Sequence, residues 1–296
     1  MKIFGIDFTS APGSKKAITY ARCTLSEKGL SLERLGRLTS FDEFEAFLRR
    51  PGPWVAGMDF PFGQPRVLIE NLDWPRTWAG YVGFIAGMTR PQFADALTDY
   101  CNRREKGDKH HLRFTDQLAR SRSPMMLYRV PVAKMFFEGA FRLLAAGVSI
   151  LPCCVRDDSR LVVEAYPALV ARRWIDDRSY KSDSLQQQIV ERQSAREEIL
   201  LGLRSSDVKS HFGFDVHLTD EDANTCVQDG SGDSLDALLC ALQAGWGYSQ
   251  RDQNFGIPRD CDPLEGWIVD PLLVSQENNA GALERPFGSG GWSHQI

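Results

Sequence analysis

The sequence predicts an α/β fold. It is a mixed five-stranded sheet, an antiparallel three-strand meander followed by parallel strands, flanked by helices and carrying a mostly helical insertion after the fourth strand. Three observations predict it. Residues 2–38 hold three alternating apolar segments parted by turn residues. A helix-patterned segment at 40–50 leads straight into a short, wholly apolar strand. From residue 66 onward, helical periodicity dominates.

MKIFGIDF reads as the first strand, and TSAPGS after it is a turn punctuated by Pro and Gly. KKAITYARCTL is the second strand, Glu27-Lys28-Gly29 a hairpin turn, and LSLERLGRL the third strand. Ser40 is the expected N-cap of the first helix: Glu43 follows three residues later, and Phe41, Phe44, Phe47 and Leu48 form its apolar stripe. Pro51-Gly52-Pro53 ends that unit, and WVAGMDF is the fourth strand. A helical crossover favours parallel neighbours, so strands one and four lie side by side with Asp7 and Asp59 at the same edge.

The helical insertion spans about 66–152 and closes with AKMFFEGAFRLLAAGV, ended by Gly147. SRLVVEAYPA (159–168) is the fifth strand, with Glu164 inside it. Helical patterns follow, then an acidic loop at 213–230 and the apolar helix DSLDALLCALQAGWG. The expected organisation is a single domain over 1–275 and an irregular tail over 276–296.

The composition excludes several classes. Hydrophobic residues make up 43% of 296, enough for a packed core. No apolar run reaches the ~18 residues of a membrane span, and the start lacks a secretory signal, so a cytoplasmic location without membrane association is expected. Seven scattered cysteines with no CxxC argue for reduced thiols rather than a disulfide or zinc framework. Walker A and GxSxG patterns are absent. The net charge of −4 excludes a wholly basic coat protein, yet residues 100–134 carry nine Lys/Arg against three acids. Such a stripe is either a solvated face or a polyanion footprint.

The chemistry lies in the carboxylates. Asp7, Asp59 and Glu164 sit in or at the ends of apolar strands, and Asp233 and Asp236 share one face at the start of the late helix. Each has a local alternative: Asp7 and Asp59 as turn caps, Glu164 on a solvated face, Asp233 as a helix cap with Asp236 at N3. A buried carboxylate must be hydrogen-bonded, neutralised or metal-bound, and converging carboxylates repel unless a cation lies among them. Hard oxygen donors suit Mg²⁺ or Mn²⁺. Two such ions, about 4 Å apart, suit phosphodiester cleavage.

The order β-β-β-α-β, with GID in the first strand, an acid ending the fourth and DSLDALLCA late in the chain, resembles the RNase H-like superfamily; DSLDA resembles the C-terminal helix of its Holliday-junction resolvases. GIDFTSAPG, MDFPFG, VVEAYPA, SYK, DSLDALLCA and EGWI together resemble a family of predicted RNase H-like nucleases, over residues 5–268. The resemblance implies that Asp7, Asp59 and Asp236 hold metal, with Asp233 and Glu164 as further ligands or as supports of the ligands. The chain departs from a plain RNase H pattern in lacking a clear glutamate on the first helix and in its long insertion.

The expected function is therefore a metal-dependent nuclease acting on DNA or RNA. Arg103, Arg104, Lys106, Lys109 and Arg113 would grip phosphates, Lys181 would contact phosphate or orient a water, and Trp74, Trp78 and Tyr81 would stack on bases or pack the insertion's core. Two alternatives stand beside it: an actin-like or sugar-kinase-like ATPase using TSAPGSKK as a phosphate loop, and a non-catalytic nucleic-acid-binding protein of the same fold. His211 and His217 frame HFGFDVH without identifiable zinc partners. Oligomeric state is not legible.

Overall fold

A computed structural model describes residues 1–280 of the chain, with side chains to residue 276. The elements run β1 (Lys2–Asp7), β2 (Ile18–Ser26), β3 (Gly29–Leu38), α1 (Phe41–Leu48) and β4 (Trp54–Met58). There follow α2 (Arg66–Asn71), α3 (Trp78–Ala86), α4 (Arg90–Asn102), α5 (Phe114–Ala119) and α6 (Val132–Ala146). The chain returns as β5 (Ser149–Leu151), β6 (Arg160–Glu164), α7 (Pro167–Ile175), α8 (Val190–Arg204), α9 (Ser206–Phe212), β7 (Val216–His217), α10 (Asp220–Gln228), α11 (Asp233–Ser249) and α12 (Pro271–Ala280).

The fold is α/β, with one mixed sheet in the order β5-β6-β4-β1-β2-β3-β7. β1 is antiparallel to β2, and β2 to β3; β1, β4, β6 and β5 run parallel to their neighbours. The sheet has seven strands rather than five. The two additional ones, β5 and β7, are edge strands of three and two residues, too short to show a period in sequence. The acidic stretch at 213–230 is not a loop throughout: it holds β7 and α10, whose Thr219 cap accepts from the Asp222 N–H. In the tail, α12 reaches Ala280; residues 281–296 lie outside the described residues. All seven cysteines are free thiols, and among the described residues no helix is long and apolar enough to cross a membrane.

Local signals explain the boundaries. Ser40 caps α1 by accepting from the Glu43 N–H, while Glu43 reaches back to the Thr39 N–H. Gly147, at φ +70°, ends α6 in the left-handed conformation that glycine tolerates best.

Strand parity then divides the sheet into two faces. Phe4 and Ile6 of β1, Ala56 and Met58 of β4 and Val162 of β6 point to the core shared with α1, α3, α4 and α6; Phe4 meets Phe47 edge-on with ring centroids 5.0 Å apart. Ile3, Val55 and Val163 point the other way, into the core built by α7, α8 and α11. On that second face the sheet carries Gly5 and Gly57. A Cβ at Gly5 would lie 1.9 Å from the Ala237 carbonyl oxygen and 2.2 Å from the Ala241 nitrogen; one at Gly57 would lie 2.4 Å from the Cys240 carbonyl oxygen. The backbone of α11 therefore rests directly on β1 and β4, closer than any side chain permits.

Replacing Gly5 by Ala is expected to destabilise the protein by roughly 3 kcal/mol or more, the upper end of overpacking costs, because the obstacle is helix backbone. Gly13→Ala, whose Cβ would have nothing within 4 Å, is the control, expected to shift stability by less than about 0.5 kcal/mol. Urea unfolding of the two variants checks both values.

Candidate metal centre

Parallel pairing aligns Ile6 with Met58, so the residues just beyond them, Asp7 and Asp59, are neighbours at the C-terminal edge of the sheet. Counting from Gly5 and Gly57, both aspartates fall on the face covered by α11. That helix begins at Asp233 behind Gly232, at φ +78°, and brings Asp236 in its first turn down onto the same edge. One carboxylate oxygen from each of Asp7, Asp59 and Asp236 lies within 4.8 Å of the others. Asp7 and Asp236 are buried and Asp59 is half-buried.

Such crowding is electrostatically costly. Burial, then the Asp236 charge, pushes the Asp7 carboxyl well above the usual carboxylate range; Lys181 opposes the shift. Burial also raises Asp59, to about 7, with Lys181 again working against it and Asp236 and Glu164 adding to it. Asp236 is raised by burial, less so because it accepts from Lys181 and Tyr180.

The chain supplies cations of its own. The Lys181 ammonium, half-buried, donates to Asp236 Oδ2, and the buried Tyr180 hydroxyl donates to Asp236 Oδ1 at 2.5 Å. Burial works against the Lys181 charge, but Asp236, Tyr180, Asp7 and Asp59 together outweigh it and hold the ammonium protonated. At the rim, Lys16 bridges Asp233 at 2.6 Å and Asp183 at 2.8 Å. Asp233 is thus the first residue of α11 and an ion-pair partner; Gly232, not Asp233, occupies the cap position. Lys16 and Tyr180 stand inside TSAPGSKK and SYK, segments whose pairing with α11 no local pattern reveals; only the fold carries the connection over 177–188 across the start of that helix.

Glu164 departs from expectation. It is in register with Met58, not with Asp59, and so points to the opposite face of the sheet. There it accepts from the Phe62 N–H at 2.8 Å and from both terminal nitrogens of Arg113 at 2.8 and 2.6 Å. Arg113 is 2% exposed and also clamps Asp116. It is consequently enclosed and cannot grip a phosphate. Glu265 of EGWI joins the same layer by accepting from the Arg66 and Phe114 N–H groups. This network fastens the helical segment between β4 and β5 to the sheet.

The three aromatics expected to stack on bases are equally enclosed. Trp74, Trp78 and Tyr81 are buried, with Trp78 Nε1 donating to the Phe62 carbonyl at 2.7 Å and the Tyr81 hydroxyl to the Leu264 carbonyl at 2.9 Å. They pack the core and offer no platform for bases. Arg104 folds back onto Asp108 and lies over the Tyr100 ring, while Arg103, Lys106 and Lys109 remain on or near the surface of the connection after α4. His217 contacts the Lys28 carbonyl and joins no metal-binding group among the described residues.

Residues 5–253 match the family described as "Protein of unknown function (DUF429)", and the chain belongs to that family. Neither the curated proteins nor the solved structures contain a significant match.

Two substitutions separate the faces. Because the folded Asp59 titrates near 7 and an unfolded aspartate near 4, its share of stability is lost as pH rises from about 4 to about 7. In metal-free buffer Asp59→Asn is therefore expected to raise the thermal midpoint, by a larger margin at pH 8 than at pH 5, as read by calorimetry. Glu164→Ala strands the buried Arg113 and is expected to cost about 3–5 kcal/mol at both pH values, measured by urea unfolding.

Proposed function

We propose that the protein is an RNase H-like, divalent-metal-dependent nuclease that hydrolyses phosphodiester bonds in DNA or RNA. The observation that carries this reading is the convergence of Asp7, Asp59 and Asp236 from two parallel strand ends and one helix start onto a single edge. Their setting supports it. Three hard-oxygen donors face one another, and burial raises all three carboxyls, with the Asp236 charge adding to the rise at Asp7 and Asp59, the condition that a bound Mg²⁺ or Mn²⁺ relieves. The order of elements, a three-strand antiparallel meander and then parallel strands with a late helix carrying DSLDA, supports the same reading.

Asp7, Asp59 and Asp236 would hold the metal. When bound, one or two such cations supply activation of a water nucleophile and stabilisation of the leaving oxygen in phosphodiester hydrolysis. In that reaction water adds to phosphorus, the bridging P–O bond breaks, and the departing oxygen takes a proton. The chain's own groups orient and balance the site. The Tyr180 hydroxyl fixes the direction of Asp236 through Oδ1. Lys181 keeps a positive charge beside the three carboxylates, at the half-exposed mouth where an anionic backbone would approach. Lys16 ties the rim residues Asp183 and Asp233 together and sets a positive charge against Asp233, whose own charge adds to the rise at Asp7 and Asp236.

Cleavage of labelled single-stranded and duplex DNA and RNA in the presence of Mg²⁺ or Mn²⁺ tests this function. Wild type is expected to cleave at least one substrate, and Asp7→Asn to lose about 100-fold or more in rate while keeping its thermal midpoint or gaining a few degrees. A wild type that cleaves none, or an Asp7→Asn variant that cleaves equally well, overturns the assignment.

A further inference from the structure

The cationic segment 100–134 is divided by the fold into two sets. Arg113 is buried on Glu164 and Asp116, Arg104 is held by Asp108, and Arg120 by Asp177. Among the described residues no carboxylate pairs with Arg103, Lys106, Lys109, Arg122, Arg129 or Lys134. Of the three acids in the segment, Asp108 and Asp116 are consumed by arginines, so only Glu105 opposes these six charges. The segment thus keeps a surplus of unpaired positive charge, beside the exposed Asp99 in the last turn of α4.

One of these cations, Lys109, lines a recess. A cavity of about 270 Å³ has an apolar floor of Leu97, Cys101 and Met125, all buried, and walls that include Lys109, His110 and Tyr128. The Tyr128 ring is 55% exposed and stands edge-on to His110, with centroids 5.9 Å apart. Its chain neighbour Arg129 is a free cation, and Arg103 follows Asn102 of the cavity wall. A large aromatic left in solvent beside an apolar recess, with the unpaired Lys109 in its wall and Arg129 next in the chain, has the make-up of a base-stacking platform with a phosphate contact. The volume suits one ring system rather than a whole drug-sized ligand. In a duplex the bases are stacked inward and only the backbone is presented, so an outstanding tyrosine and an apolar floor gain nothing. An unpaired strand offers both a free base face and phosphates.

We propose that this face, built by the end of α4 and the connections before α5 and α6, binds single-stranded polynucleotide, with one base seated against Tyr128 and His110 and the flanking phosphates on Lys109 and the exposed Arg129. It deepens the nuclease reading by giving that enzyme an unpaired-strand substrate, and it rests on that reading for its purpose. Its measurement does not, because binding is followed without metal.

The test is fluorescence anisotropy of the full chain in EDTA, with labelled oligo-dT and oligo-U of about 12 nucleotides and a matched duplex, at low salt. Binding of a single strand, tighter than of the duplex, is expected, and the two oligomers show whether DNA or RNA is preferred. Tyr128→Ala is expected to weaken it about 10-fold. Lys109→Gln is expected to flatten the log–log salt dependence by about 0.7. Neither change is expected to shift the thermal midpoint, since both side chains are at least partly exposed. No single-strand binding by wild type, a tighter duplex, a salt slope unchanged by Lys109→Gln, or Tyr128→Ala binding as wild type would each overturn the proposal; so would heparin displacing every probe with no dependence on Tyr128. Tyr128-dependent binding by a protein that cleaves nothing would sink the nuclease reading alone.

Discussion

The site depends on how closely α11 approaches the sheet. With Gly5 and Gly57 beneath it, the helix lies with backbone against backbone on β1 and β4, and its first turn reaches the strand ends. A side chain at either glycine would lift the helix by the thickness of a methyl group or more and draw Asp236 away from Asp7 and Asp59. The rest of the arrangement follows from this contact. Tyr180 and Lys181 meet Asp236 because the connection from α7 to α8 crosses the same helix start, with Lys181 packed over Gly232.

The two faces of the sheet handle buried charge differently. On the α11 face, three carboxylates share Lys181, while Lys16 serves the rim; all three carboxyls stay raised, and the balance is left open to a further cation. On the opposite face, Arg113 sits between Asp116 and Glu164 with its donors satisfied by both and by the Glu265 carbonyl. That second network is closed, and its enclosed charges fix the segment between β4 and β5 in place. Buried ion groups of this kind are expensive to break once assembled, which suits a fastening. An acidic cluster that remains under strain suits a binding site.

The segment between β4 and β5 likewise does two jobs with one composition. Its tryptophans and most of its aromatic rings form the core over α3, α4 and α6, as in Trp74–Phe93 and Phe93–Phe136. Tyr128 and Phe84 are left about half exposed, and Tyr128 shares its recess with Lys109, a cation that no carboxylate pairs. Burial, rather than residue type, separates the packing aromatics from those open to a ligand.

The sequence by itself determined the alternation of the meander, the capped α1, the buried fourth strand and the apolar late helix, since each is a local pattern of period or capping that needs no partner. It also marked Asp7, Asp59 and Asp236, because a carboxylate inside an apolar segment stands out wherever it occurs. Tertiary structure decided which acids meet. Glu164 differs from Asp59 by one step of strand parity, and one step reverses the face; no composition or spacing reveals that offset. The fates of Arg113, Lys16 and Tyr180 were decided there too, because their partners lie 51, 217 and 56 residues away along the chain, and only the packing of α11 and of the segment between β4 and β5 against the sheet brings such distant charges together.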